Sequence, residues 1–145
     1  MFLIGVDEMV HEWALAESIA DYIERELSKK GKKNIAKIVI KLGILQSIDK
    51  EILDFALKEI IKSRDYRVGE IVYEDEEVIL KCRRCGYEWR INPSQLDEAI
   101  REAIHFVPEA VYSYFKCPRC GSRDFEIVRG RGVSIKEIIL GDNNE

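Results

Sequence analysis

Apolar residues recur every three or four positions between His11 and Lys30, in the first part of the chain. This spacing predicts a helix with one buried stripe, because such positions share one face of a 3.6-residue turn. Gly31 is well placed to end the helix. The stripe consists of Ala16, Ile19, Ala20, Ile23 and Leu27.

Strict alternation replaces the helical spacing between residues 36 and 42 and predicts a half-buried strand. Its apolar positions are Ala36, Ile38, Ile40 and Leu42, which alternate with Lys37, Val39 and Lys41. A second helix is expected after Asp49, because an aspartate can accept a hydrogen bond from the first helical turn. The inward face of this helix is predicted to hold Ile52, Phe55, Ala56 and Ile60.

Strand-like runs dominate the second half of the chain. They cover Glu70–Glu74, Val78–Cys82, Phe125–Val128 and Val133–Leu140, the last two joined through Gly130-Arg131-Gly132. A short helix is predicted over Ser94–Ile104, with Asn92 and Pro93 as its cap and first position. Pro108 should break whatever precedes it.

The order of these elements predicts an α+β protein in two parts. A small sheet with two helices should form from residues 1–75 and 132–145. A zinc-ribbon-like four-cysteine domain of residues 76–131 should be inserted before the last strand. In that strand Val133, Ile135 and Ile138 stand among charged residues, so it needs a sheet to pair with, and the N-terminal strand is the expected neighbour.

Composition narrows the classes of partner. Hydrophobic residues make up 46% of the chain and charged residues 34%, with a formal net charge of −4. A nucleic-acid-binding domain is usually strongly basic, so we expect no general nucleic-acid binding. Asp7 and Glu8 end the apolar start too early for a signal peptide, and no apolar run is long enough to span a membrane. These features predict a cytoplasmic protein that does not bind membranes.

The four cysteines form two copies of the motif Cys-x-x-Cys-Gly. Two intervening residues let one tight turn place both sulfurs on one metal ion, and the glycine can adopt a positive φ. Two such turns supply the closed four-sulfur shell of a structural zinc site, which leaves no open position for catalysis. The predicted zinc ligands are Cys82, Cys85, Cys117 and Cys120.

Other readings of the cysteines remain open. Iron would accept the same spacing, whereas a redox dithiol would need only one pair beside a helix start. Disulfides are rare in a reducing compartment, although intracellular proteins of hyperthermophiles carry them.

The stretch of residues 86–116 between the two cysteine pairs is longer than the usual ribbon separation of roughly 15–20 residues. A segment has therefore been inserted between the two turns. Six cations near the cysteines are expected to offset the thiolate charge: Lys81, Arg83, Arg84, Arg90, Lys116 and Arg119.

The only two histidines, His11 and His105, carry little information by themselves, since most histidines at such positions are surface or packed loop residues. Together with their surroundings they carry a resemblance. The segment His11-Glu12-Trp13-Ala14-Leu15-Ala16 is similar to the opening motif of the HypA family of nickel metallochaperones, where Met-His-Glu starts the chain. The four-cysteine module and the closing strands around Gly130-Arg131-Gly132 also resemble that family. The long insert resembles its archaeal branch.

The resemblance implies a non-enzymatic protein that carries Ni(II) to the large subunit of nickel–iron hydrogenase during its maturation, together with a nucleotide-hydrolysing HypB-type partner. It implies a nickel-binding domain in residues 1–75 and 132–145 and a zinc-binding domain in residues 76–131. It also implies a monomer or weak dimer. The nickel ligands would be His11, Glu12 and His105, since nitrogen ligands suit the tetragonal geometry of Ni(II). Glu12 has a plainer reading as a favourable acidic residue in a first helical turn.

The chain departs from the family pattern in one respect, because ten residues precede His11. An internal His11 lacks the adjacent terminal amine that would complete the chelate. We therefore expect the functional chain to start at Met9 or Val10 and not at Met1.

Two other classes of function stay open at this point. One is a zinc-ribbon adaptor that binds nucleic acid or protein. The other is an enzyme, for which the sequence offers neither a spare cysteine nor a glycine-rich phosphate loop.

Overall fold

Four α-helices and six β-strands follow one another along residues 2–46 and 48–141, the part of the chain described in the computed structural model. The side chains of residues 2–10, 46, 93, 105 and 108 lie outside this description. The helices are α1 (Phe2–Lys30), α2 (Lys50–Lys62), α3 (Glu98–Phe106) and α4 (Val111–Tyr114). The strands are β1 (Asn34–Gly43), β2 (Arg67–Glu76), β3 (Val78–Cys82), β4 (Glu88–Ile91), β5 (Phe125–Arg129) and β6 (Val133–Leu140).

The chain divides into two compact units. The first unit contains residues 1–40, 48–73 and 135–145, and the second contains residues 41–47 and 74–134. One sheet has the strand order β2-β1-β6 and the other has the order β4-β3-β5. The α+β class is confirmed, as is the expected pairing of the last strand with the N-terminal strand. Residues 41–47, which the sequence analysis grouped with the first part, belong to the second unit.

Helix α1 buries the predicted stripe in the first unit. All five of its members are at most 5% exposed, and α1 packs against α2. Gly31 ends the helix with a φ of 64°, a conformation that glycine adopts without steric cost. The helix begins at Phe2, whereas the periodicity was traced only from His11. No helix in the described residues is both long and apolar enough to cross a bilayer.

Strand β1 is the middle strand of its sheet and is buried more fully than a strand with one solvated face would be. Ile38, Val39 and Ile40 are all buried, although successive side chains of a strand point to opposite faces. The alternation therefore predicted the strand correctly but understated its burial. Ala36 is exposed although it had been placed on the inward side.

Helix α2 is capped as predicted, since the side chain of Asp49 accepts a hydrogen bond from the Ile52 N–H at 3.1 Å. The prediction of which residues lie on its inward face was partly wrong. Leu53, Ala56 and Leu57 are buried, whereas Phe55 is 61% exposed. The ring of Phe55 meets the ring of Trp13 edge to face, with centroids 6.2 Å apart. This aromatic contact lies on the surface of the first unit.

The second unit is built around strand β3. It pairs antiparallel with β4 on one side and with β5 on the other, and β4 was not foreseen from the sequence. The predicted helix over Ser94–Ile104 was wrong at its start. Asn92 and Gln95 instead form a separate turn, and α3 begins at Glu98 because the side chain of Asp97 accepts the Ile100 N–H at 2.9 Å.

The residues between the two cysteine pairs help to form the core of this unit. Leu96, Ile104 and Val111 from this insert are buried with residues of the sheet. Phe125 is the largest fully buried side chain, and the rings of Tyr112 and Trp89 pack against it at 4.7 and 5.5 Å between centroids. The insert is therefore part of the packed structure.

Gly43 permits a close approach of two backbone segments in the second unit. The Gly43 N–H donates to the Gly132 carbonyl at 2.7 Å, and the Leu45 N–H donates to the Gly130 carbonyl at 2.9 Å. A Cβ atom at Gly43 would overlap the carbonyl group of Gly130. Residues 43–45 can lie against residues 130–132 only because residue 43 has no side chain.

Substituting Gly43→Ala should therefore lower the free energy of unfolding by about 1–3 kcal/mol, as overpacking against backbone usually does. Urea denaturation of the metal-loaded protein, followed by tryptophan fluorescence, measures this loss. Gly132→Ala is the matched control, because a Cβ there would meet nothing within 4 Å. Equal stability of the Gly43→Ala variant and the parent protein would contradict the steric argument.

Candidate metal centre

The four cysteines converge at one point in the second unit. Their sulfur atoms all lie within 4.8 Å of one another. The Cys82 and Cys120 sulfurs are 3.6 Å apart, and those of Cys85 and Cys117 are 3.7 Å apart. A tetrahedral zinc site with Zn–S bonds of about 2.3 Å would place its sulfurs about 3.8 Å apart. A disulfide bond would need about 2.0 Å, and all four cysteines are free thiols. The residues present therefore fit a four-cysteine metal site.

Two turns of the same design hold these thiols. In each turn the first cysteine receives a hydrogen bond at its carbonyl from the glycine N–H, at 3.0 Å for Gly86 and 2.8 Å for Gly121. The two glycines have φ values of 80° and 78°. The first cysteine of each pair is buried and the second is exposed, so both turns present their thiols to a common centre in the same way. The repeated Cys-x-x-Cys-Gly motif predicted this arrangement.

The surroundings of three of the thiols shift their pKa values in different directions. The pKa of Cys82 is lowered to about 6, chiefly by the Cys85 N–H, which donates to the Cys82 sulfur at 3.4 Å. The pKa of Cys117 is also lowered, since N–H groups of Cys120 and Arg119 outweigh the effect of burial. The pKa of Cys120 is raised to about 11: hydrogen bonding from Ser122 lowers it, but burial and the three neighbouring thiols outweigh that effect. The neighbouring sulfurs thus oppose full ionisation of the cluster unless a cation is bound.

Two of the six nearby cations are paired with carboxylates. Arg83 lies 3.3 Å from Asp124, and Arg90 lies 3.5 Å from Glu77. Their charges are therefore partly neutralised by acidic groups. The expected offset of thiolate charge by all six cations stays a prediction.

Arg123 joins the insert to the second cysteine turn. Its guanidinium donates to the carbonyl oxygens of Tyr112, Ser113 and Phe115 at 3.2–3.3 Å. These carbonyls lie at the C-terminal end of α4, where backbone acceptors lack helical partners. Sequence reasoning missed this contact, because nothing in the local pattern around Arg123 indicates a helix end ten residues earlier.

The predicted nickel ligands His11 and Glu12 lie in the first unit and differ from each other in burial. His11 and Glu12 both lie on α1 in the first unit, with the His11 side chain exposed and Glu12 only 1% exposed. The Glu12 Oε2 atom accepts the Asp49 N–H at 2.9 Å, next to the start of α2. Among the described residues, its Oε1 atom has no hydrogen-bond partner. The reading of Glu12 as a first-turn glutamate is wrong, since α1 begins ten residues earlier.

His105 belongs to the second unit, in α3. Its side chain lies outside the described residues, so its predicted contribution to a nickel site stays a prediction. The same holds for His11 and Glu12 as nickel ligands.

Comparison with known proteins places the chain in a family. The model of the HypA family, described as hydrogenase/urease nickel incorporation, metallochaperone, hypA, matches residues 10–140. The chain belongs to the HypA family. Hydrogenase maturation factor HypA of Pyrococcus horikoshii is 44% identical over 138 residues, which cover 94% of this chain and 99% of that protein. The HypA of Thermococcus onnurineus is also 44% identical, over 142 residues, with the same coverage.

Solved structures of HypA proteins have the same fold. The solution structure of the Ni metallochaperone HypA from Helicobacter pylori matches with a TM-score of 0.63 at 18% identity, covering 89% of this chain and 96% of that one. A second HypA solution structure matches with a TM-score of 0.62. The resemblance inferred from the sequence is thereby confirmed. Among the described residues, the four cysteines form a complete set of metal ligands.

Metal analysis of the purified protein should find one zinc per chain and no stoichiometric iron. Cys85→Ser should lower zinc affinity by at least 100-fold, because one thiolate of the shell is lost. Competition against a chromophoric chelator measures the affinity, and Ser113→Ala, an exposed change outside the cluster, is the control. Stoichiometric iron after aerobic purification would overturn the zinc assignment.

Zinc affinity should also depend on pH with a defined sign. The bound form needs four thiolates, and the free cluster holds protons, so affinity falls as pH falls. The Cys120 thiol, with a pKa of about 11, contributes one proton through neutral pH, and Cys82 adds another below a pH of about 6. The same chelator competition at pH 5.5, 7 and 8.5 should show this steepening. A pH-independent affinity would contradict it.

Glu12→Ala should lower the free energy of unfolding by about 1–3 kcal/mol, because the Asp49 N–H would lose its acceptor. Glu12→Gln keeps an amide oxygen that can accept this hydrogen bond, so it should lose less. Thermal unfolding in the absence of nickel measures both variants. Equal losses in the two variants would argue against the hydrogen bond to Asp49.

Proposed function

We propose that this protein carries Ni(II) and delivers it to the large subunit of a nickel–iron hydrogenase, with zinc held structurally by the four cysteines. The observation that carries the proposal is the family match over residues 10–140, together with a set of thiols that is already complete without a cargo ion. A four-thiolate shell has no open position. An ion that must be passed on therefore needs a second site, and His11, an exposed imidazole in the first unit, is a nitrogen ligand that the sequence offers for it.

The two sites differ in the chemistry that they favour. Thiolates bind zinc tightly in a tetrahedral shell, whereas imidazole and amine nitrogens suit the tetragonal preference of Ni(II). Zinc would supply no reactivity here: it would offset two of the four thiolate charges and fix the two turns, and nearby cations would offset the rest. The cargo at His11 would be held by few ligands, so an acceptor can replace them one at a time.

Glu12 supports this function as a positioning residue. Its carboxylate, on α1, accepts a 2.9 Å hydrogen bond from the backbone N–H of Asp49, the residue that caps α2. Because Glu12 and His11 are adjacent on one helix, this contact fixes the helical backbone that carries the His11 side chain. We keep His105 as the candidate for a second imidazole ligand and the Glu12 backbone nitrogen as a further donor.

The protein would act without catalysis of its own, in the cytoplasm, beside a HypB-type nucleotide-hydrolysing protein. The hydrogenase large subunit would be the final acceptor. Support for these partners comes from the family alone. The zinc-ribbon adaptor is the alternative that the following experiment separates from metal delivery.

Nickel titration tests the proposal. Calorimetry and ultraviolet absorption would compare the 145-residue chain with a shortened chain in which methionine directly precedes His11, after the zinc content of both is checked. The shortened chain should bind one Ni(II) with a square-planar absorption band, and the 145-residue chain should bind at least 100-fold more weakly. Affinity should fall as pH falls, because the nickel ligands must lose their protons to bind the ion.

Matched histidine variants identify the ligands. His11→Ala in the shortened chain should abolish tight binding, whereas His105→Ala should weaken it only if His105 is a ligand. Equal binding by both chain lengths would show that the terminal amine is dispensable. Failure of both chains to bind nickel, with zinc intact, would reject metal delivery in favour of the adaptor.

A further inference from the structure

An open cavity of about 780 Å³ in the first unit is lined by a strongly basic set of side chains. Its cations are Lys33, Lys58, Lys62, Arg64 and Arg67. Asp65 is the single carboxylate among the described lining residues, although the whole chain carries a net charge of −4. Half-buried apolar side chains of Ile61, Val68 and Ile71 add to the lining. We call this feature the basic cavity.

Helix electrostatics explain only part of the charge. Lys58 and Lys62 lie in the last two turns of α2, where cations favourably oppose the helix dipole. Lys33 precedes β1 and Arg67 begins β2, so they come from other elements and gain nothing from that dipole. The dipole of α2 therefore does not account for all of the cations that line the cavity.

The lysines are available to such a partner. Lys33 pairs with Asp65 at 2.8 Å, Lys58 with Asp54 at 2.8 Å, and Lys62 with Glu59 at 2.7 Å. These lysines are well exposed, and exposed pairs contribute only about 0–1 kcal/mol each. Carboxylates of a ligand can therefore replace their partners at little cost.

The two arginines have different roles. Arg64 is half-buried, and its guanidinium lies 2.9 Å from both Asp21 and Glu24 of α1, so these two carboxylates already engage its charge. Arg67 is exposed, and no ion pair is found for it within the described part of the chain. Arg67 is thus the cation most ready to accept a new carboxylate.

We propose that the basic cavity is a docking surface for an extended acidic segment of a protein partner. The cations come from separate segments of the first unit and line an open cavity, which suits several separate carboxylates better than one phosphate group. The helix end at the cavity is the C-terminal end of α2, so no helix N-terminus offers N–H groups to a phosphate. The apolar lining suits the alternate side chains of an extended segment.

Strand β2 adds a second feature that an extended segment can use. It is an outer strand of the β2-β1-β6 sheet in the described residues, and Arg67, Val68 and Ile71 of this strand line the cavity. Outer strands present unpaired backbone groups that can receive an added strand. The docking site is independent of the nickel site proposed above.

Fluorescence anisotropy tests the proposal with a fluorescein-labelled octapeptide of alternating glutamate and alanine. The peptide should bind the 145-residue, zinc-loaded protein at low ionic strength, and binding should weaken as salt is added. Arg67→Glu and, separately, Lys62→Glu should each weaken binding at least tenfold. Lys29→Glu is the matched control, because it makes the same charge change on α1 outside the cavity, and it should alter binding less than twofold. Circular dichroism and thermal unfolding verify that all variants are folded.

Other results would overturn the proposal. Equal weakening by Lys29→Glu would mean that the peptide senses only overall charge. Absence of binding, or equal binding of a peptide with glutamine in place of glutamate, would reject an acidic partner. Displacement of the peptide by inorganic phosphate or by an oligonucleotide at lower concentrations than by unlabelled peptide would identify a phosphate ligand in its place.

Discussion

Repulsion among four thiolates is the constraint on which the second unit depends. Their sulfurs lie within 4.8 Å of one another, and, against the effect of the Ser122 hydrogen bond, burial and the neighbouring thiols raise the pKa of Cys120 to about 11. A divalent cation removes that conflict, so folding and metal binding reinforce each other. Cys82 pairs in register with Phe125, at the centre of the core, and the ligand cluster is thus tied directly to the packing of the sheet.

The fold was predictable where the signal is local and repeated. The stripe of α1, the cap at Asp49 and the glycine at residue 31 each follow from a few neighbouring residues. Phe55 was misplaced because helical periodicity gives a face but not its centre, and α2 is rotated so that Leu53 and Leu57 point inward instead. Strand β4 and the start of α3 escaped notice because their stability comes from pairing with β3 and from the Asp97 cap.

In the candidate sites too, features encoded by neighbouring residues were predicted, and features that depend on distant contacts were not. Four cysteines in two identical motifs define their own geometry, so sequence alone identified the cluster. The roles of Glu12 and Arg123 depend on contacts with residues 37 positions later and about ten positions earlier, and no local pattern encodes them. The insert likewise looked like an addition between the cysteine pairs, whereas Leu96, Ile104 and Val111 make it part of the core.

The interleaving of the two units has a consequence for how the chain can be divided. Leu45 belongs to the core of the second unit, although the chain on both sides of residues 41–47 belongs to the first. A fragment of residues 74–134 would therefore lack a core residue of its own unit, and a fragment of residues 1–73 would lack β6, the partner of β1 in its sheet. Neither unit can be produced complete from one continuous stretch of the chain, so each must be studied within the whole protein.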